Sequence, residues 1–154
     1  MSLSRNIYTQ LEAVVGAENI SDKEYILAGN RNRTPEYPFE YHTADAIIMP
    51  GSTEQVRDII RICNQNDICF VTTVSGASAD AYPNRGGTLL IDLKRMNQII
   101  EINTEDGYAV IEPGVRHVQL YPELRRQGFS YAIAAVGPGG SVFFYFSSTV
   151  GGNN

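Results

Sequence analysis

Residues 46–71, AIIMPGSTEQVRDIIRICNQNDICFV, decide the fold. Ala46 to Met49 is a short apolar run closed by Pro50-Gly51, which reads as a strand ended by a turn. Ser52 stands three residues before Gln55, the spacing of a capping box. Val56, Ile59, Ile60 and Cys63 follow at i, i+3, i+4 and i+7, which is one apolar helix face. Asn64 to Asp67 end that helix, and Ile68-Cys-Phe-Val71 reads as a second, buried strand. Strand, helix, strand in this order predicts a βαβ unit and a sheet with parallel neighbours.

Working outward, Thr72 to Gly87 is a loop of small and polar residues. Thr88 to Leu93 predicts a strand. Gln98 to Ile102 and Tyr108 to Glu112, joined by a turn at Asn103 to Gly107, predict an antiparallel hairpin. Pro113-Gly114 suits the two central positions of a type II turn. Val118 to Arg126 reads as a helix with Leu120 and Leu124 apolar and Gly128 near its C-cap. Pro122 inside it is expected to kink or restart it. Before the central block, Asn6 to Val15 has helical spacing on Ile7, Leu11, Val14 and Val15. Residues 30–42 form an irregular polar-aromatic connector, and no internal repeat is present. The expected class is α+β, with a mixed parallel and antiparallel sheet and flanking helices.

The chain has 154 residues, near the size of one domain, with 43% hydrophobic and 19% charged residues. That composition excludes a disordered tail, a collagen-like repeat and a coiled coil. Twelve Lys+Arg against 17 Asp+Glu give a net charge of −5, which argues against nucleic acid or an anionic membrane as partner. There is no apolar run long enough to span a membrane, and the start after Met1, with no apolar run behind it, is not expected to be a signal peptide. Two cysteines are too few for a disulfide scaffold, so a cytoplasmic location is expected. From Gln127 to Asn154 no residue is charged, so this segment is expected to be buried, covered or laid against a ligand. The end, Gly151-Gly-Asn-Asn154, reads as a chain cut inside a larger whole.

Few residues carry obvious chemistry. His42 and His117 lack metal-ligand spacing and read as ordinary loop or surface residues. Cys63 and Cys69 read as core thiols. The nucleophile elbow, the P-loop and the Rossmann glycine pattern are all missing. Two loops remain, Thr72 to Pro83 and Val136 to Asn153, both dense in small and hydroxyl residues. Successive backbone N–H groups in such loops can bind phosphate oxygens, and Thr73, Ser75 and Ser78 add hydroxyls. Composition alone leaves open that each is a plain Gly-rich turn.

The order of motifs resembles that of a known family. Pro50-Gly-Ser-Thr-Glu-Gln-Val56 is similar to the helix entry of the p-cresol methylhydroxylase-type flavin-binding domain of the vanillyl-alcohol oxidase superfamily. Ile91-Asp-Leu-Lys-Arg-Met-Asn97, Ile111-Glu-Pro-Gly-Val115, Gly139-Gly-Ser-Val142 and Ser148-Thr-Val-Gly-Gly152 resemble its later motifs in the same order. Residues 7–29 resemble the lead-in of glycolate-oxidase-type members. The resemblance implies residues 1–43 as an N-terminal helix and connector, and 44–154 as the N-terminal portion of an FAD-binding domain. It implies a first diphosphate loop at Thr73, Val74, Ser75, Gly76, Ala77 and Ser78. It implies a second at Pro138, Gly139, Gly140 and Ser141 with Thr149, Gly151, Gly152 and Asn153. No catalytic or metal-binding residue of the family maps onto the chain.

The implied activity is oxidation of a 2-hydroxy acid or an alcohol, with hydride passing to flavin, by a larger protein that takes a small-molecule substrate. The fragment alone is expected to be inactive. The first loop lacks a histidine for covalent attachment, so FAD is expected to be noncovalent. Val74, Ala77 and Tyr82 in the first loop, and the aromatic run at 143–146, leave an alternative: a binding or assembly module of the same fold that has lost FAD. The uncharged tail leaves room for a homo-oligomer or a partner subunit.

Overall fold

The computed structural model describes residues 3–30, 43–74, 83, 86–131 and 140–142. The expected connector at 30–42 lies outside them except for Asn30. The chain divides into two compact units, Met1–Leu93 and Lys94–Asn154.

The first unit is built on a four-stranded sheet in the order β1-β2-β4-β3. Its strands are β1 Ile20–Ser21, β2 Ala46–Ile48, β3 Cys69–Thr73 and β4 Thr88–Asp92. The expected βαβ unit is present: β2 leads into helix α3, Thr53–Gln65, and then into β3. The two strands are parallel but not adjacent, because β4 lies between them and pairs parallel with both. β1 closes the other side of β2 in antiparallel register, so the sheet is mixed.

Side-chain alternation puts Ala46, Ile48, Leu89 and Ile91 on one face. There they meet Ile59 and Cys63 of α3 and Tyr8, Leu11 and Val15 of α1, Arg5–Val15. Ile47 and Leu90 point to the opposite face, where Ile26 and Leu27 of α2, Glu24–Gly29, pack. All five residues of β4 are therefore buried, as expected of a strand covered on both sides. β3 differs from its expectation. Cys69, Phe70 and Val71 are only half-buried and Thr72 is exposed, because β3 lies at the edge of the described sheet.

Local chemistry fixes the ends. The Ser52 hydroxyl accepts from the Gln55 N–H at 3.3 Å, as the capping box requires. The Gln55 side chain accepts from Gly51 N–H, and its amide donates to the Val14 carbonyl, tying α3 to the end of α1. The Asp45 carboxylate takes the N–H of Leu3 at 2.7 Å and of Gly87 at 3.2 Å. One side chain thus fastens the start of the chain and the entry to β4.

The second unit holds the hairpin of β5 Ile99–Asn103 and β6 Tyr108–Ile111, with a register shift at Ile99/Glu101. The Pro113-Gly114 turn is closed by Val115 N–H to the Glu112 carbonyl at 3.1 Å. It is not type II, since Gly114 does not take the positive φ that type requires. The Gly114 N–H is instead drawn to the Met96 carbonyl at 2.6 Å.

Helix α4, His117–Arg126, runs through Pro122 without restarting. Its ends are held on both sides of the proline. The Gln119 side chain accepts from Arg116 N–H at 2.9 Å. Phe129 and Gly128 donate to the Leu124 and Arg125 carbonyls, with Gly128 at φ 82°, a Schellman ending. Val115, Leu120 and Val142 form the core of this unit with Ile99, Ala109, Ile111 and Leu124. The uncharged stretch divides. Residues 127–130 are exposed, contrary to expectation, since they form the helix ending, while 140–142 are buried.

Two outcomes are expected. Asp45→Ala leaves two N–H groups without their acceptor and lowers stability by about 1–3 kcal/mol, read as a lower urea midpoint with unchanged slope. Cys63 is fully buried, and burial pushes its thiol up to about 11. A thiol reagent at neutral pH is expected to reach Cys63 only after denaturation; labelling of Cys63 in the folded chain would contradict the packing.

Candidate cofactor site

Parallel α/β sheets bind ligands beyond the carboxyl ends of their strands. Here that edge is formed by the ends of β2, β4 and β3. Register sets Ile48 beside Ile91 and Thr73 beside Asp92. Thr73 is only 6% exposed, and its hydroxyl has no hydrogen-bond partner. A buried hydroxyl left unpaired costs free energy. Its position at the mouth of the first candidate loop suits a ligand oxygen. Val74 follows, half-buried. Ser75, Gly76, Ala77 and Ser78 lie outside the described residues, as does Tyr82.

The amino end of α3 opens from the same edge, after Pro50-Gly51. It is already served by its own chain. The Ser52 hydroxyl takes one first-turn N–H. Hydrogen bonds from the Glu54 backbone and then from Ser52 hold the Glu54 carboxyl below its usual range. A carboxylate at this end already satisfies the helix dipole.

In the second unit, Gly140 and Ser141 are buried and pair with the start of α4. The Gly140 carbonyl accepts from His117 N–H at 3.1 Å, and Val142 N–H donates to the Val115 carbonyl at 3.0 Å. The Ser141 hydroxyl donates to the Pro113 carbonyl at 2.6 Å. Its proton is therefore spent inside the fold. Pro138, Gly139, Thr149, Gly151, Gly152 and Asn153 lie outside the described residues, as do the 143–146 aromatics. Of the expected loop residues, the structure thus places Thr73 and Val74 in one unit and Gly140 and Ser141 in the other.

His117 corrects its expectation. It is not a surface residue but is 1% exposed. Its Nδ1 lies 2.6 Å from the Tyr131 hydroxyl and the two rings stack, while Nε2 is buried without a partner. Burial pushes the imidazole below its ordinary value, and the Tyr131 phenol up, with Tyr121 adding to the latter. A signal was present in the sequence: stepping back three residues from Leu120 along the Leu120/Leu124 face reaches His117. Val118, taken as the helix start, is 51% exposed. His42 lies outside the described residues. Among the described residues, no cluster of His, Cys, Asp and Glu could hold a metal.

Known proteins resemble this chain in sequence and fold. A family profile described as FAD binding domain matches residues 44–153. The 4-cresol dehydrogenase flavoprotein subunit of Pseudomonas putida is 34% identical over 109 residues, covering 65% of this chain and 21% of that protein. A glycolate oxidase subunit of Bacillus subtilis is 30% identical over 132 residues, covering 84% of this chain and 27% of that protein. The solved structure of 4-ethylphenol oxidase from Gulosibacter chungangensis matches with a TM-score of 0.79 at 32% identity, over 89% of this chain and 27% of that one. The chain therefore spans between about a fifth and just over a quarter of the length of these relatives. With the profile covering most of its length, the chain belongs to the FAD binding domain family, and FAD is its cofactor.

Proposed function

We propose that this chain is the FAD-binding portion of an oxidoreductase that oxidises a 2-hydroxy acid or another alcohol. When bound, FAD supplies the two-electron chemistry, accepting hydride from the substrate carbon. The chain's own residues hold the cofactor. Residues 44–154 carry the site, and 1–43 lead into it. In the first unit, Thr73, Val74, Ser75, Gly76, Ala77 and Ser78 are the stretch whose hydroxyl and backbone donors suit phosphate oxygens. In the second unit, Gly140, with Pro138, Gly139 and Ser141, and then Thr149, Gly151, Gly152 and Asn153, are the stretch whose backbone suits phosphate oxygens. Ser141 serves there through its main chain, since its hydroxyl holds Pro113.

The observation that carries this reading is the Thr73 hydroxyl, buried and unpaired at the carboxyl end of β3. The names of the relatives, a cresol dehydrogenase and a glycolate oxidase, support the substrate class. The absence of histidine from residues 73–78 supports noncovalent attachment. Among the described residues no helix is long and apolar enough to cross a membrane. Neither cysteine is in a disulfide, and a cytoplasmic location is the reading we retain. The cresol dehydrogenase relative is a flavoprotein subunit, which supports a partner subunit here. As a fraction of its relatives' length, the chain alone is expected to bind FAD without turning over substrate.

The test is a visible spectrum of the purified chain after incubation with FAD and desalting. A retained flavin band is expected; a folded chain that stays colourless overturns the site assignment. Thr73→Val is expected to weaken FAD binding about tenfold. The same change removes an unpaired hydroxyl, so the cofactor-free chain should be no less stable. Loss of stability with unchanged affinity would mean that Thr73 serves the fold and not the cofactor.

A further inference from the structure

His117 makes two contacts of different kinds. Its backbone N–H donates to the Gly140 carbonyl, and its ring Nδ1 meets the Tyr131 hydroxyl. The first position of a helix has no intrahelical acceptor for its N–H, so the bond to Gly140 satisfies an otherwise orphaned donor. The second contact fixes the ring. Tyr131 and Gly140 flank residues 132–139, which precede Ser141 in the glycine-rich motif of the second loop. One residue therefore anchors the chain on both sides of that stretch. Ordering backbone costs conformational entropy, and the bond from His117 offsets part of the cost of holding Gly140 in place.

We propose that His117, locked by Tyr131, is the positioning residue that sets Gly140 and Ser141 for the FAD diphosphate. This rests on the function proposed above. His117 acts through the backbone it holds and donates nothing to the reaction. Gly140, Ser141 and Val142 are buried with it, and Val142 completes the core against Val115 and Leu120. Tyr131→Phe would leave Nδ1 buried and unpaired beside an Nε2 that already lacks a partner, and the ring would no longer be held by a hydrogen bond.

The arrangement is specific to the neutral imidazole. A protonated ring would bury a charge with both ring nitrogens as donors and nothing to accept from Nε2. Among the described residues the titratable groups nearest the ring are Tyr131 and, edge-on to Tyr131, Tyr121. The guanidinium of Arg125 lies 6.0 Å over the Tyr121 ring, and the neighbouring Arg116 is exposed. None of these is an anion at neutral pH, so none compensates a charge on His117. Its folded value lies below the unfolded one. The hold is therefore full above about pH 6.5 and is lost as pH falls toward the lower folded value.

The test compares the wild-type chain with His117→Phe, Tyr131→Phe and the double variant, each first shown to be folded by circular dichroism. Amide hydrogen exchange of Val142 and His117 is read without FAD. Protection is expected to fall about tenfold in each single variant, no further in the double, and to stay unchanged at Leu89 to Ile91. Unchanged Val142 protection in Tyr131→Phe overturns the positioning role. FAD affinity is then measured against pH. Wild type is expected to bind more weakly below pH 6.5, and His117→Phe to bind about tenfold more weakly than wild type at pH 7 with a flat profile. Reduced protection with unchanged FAD affinity overturns the link to the cofactor. A wild-type chain that takes no FAD overturns the site assignment, and hydrogen exchange still decides whether His117 positions the segment.

Discussion

β4 has no solvent face, and the first unit depends on that. Each of Leu89, Leu90 and Ile91 stabilises the fold by about 1.5–3 kcal/mol through burial. A single ladder hydrogen bond adds only about 1 kcal/mol net. Apolar cover on both faces, more than strand pairing, therefore decides where β4 sits. β2 and β3 run parallel to it on either side. Their carboxyl ends then come to one edge, where Thr73 stands as the last residue of β3.

Much of this was legible in the sequence because the signals were local and periodic. The 3.6-residue spacing of α3, its Ser52 cap, the apolar runs of β2 and β4 and the hairpin turn at 103–107 each fit within a short window. What was not legible depended on partners far along the chain. The insertion of β4 between β2 and β3 is a pairing choice that no window contains. The exposure of Thr72 follows from β3 standing at an edge. The Pro113-Gly114 turn takes a different geometry because Met96, well upstream, claims the Gly114 N–H. Pro122 leaves α4 running because both helix ends are fastened by neighbours.

The candidate site shows the same division. Loop composition singled out two candidate stretches, and motif order identified the family. Composition could not show that the Thr73 hydroxyl is unpaired while the Ser141 hydroxyl is committed to Pro113, although both residues looked alike as donors. Nor could it show that the more informative histidine lies on the buried face of a helix. A polar residue that continues an apolar stripe by one turn is easily taken for the start of a surface, and here it is part of the interior.

The order of strands in the sheet also bears on how the chain is made. β4 is the last of the four strands in sequence and stands between two that precede it. As the chain leaves the ribosome, β2, α3 and β3 are complete while the place between the two strands is still empty. No hairpin or local pairing can join them, and the Asp45 carboxylate, which must hold residues 3 and 87 together, has received only the first. The sheet can close only when residues 88–92 arrive, in one step that joins segments made early to the segment made last.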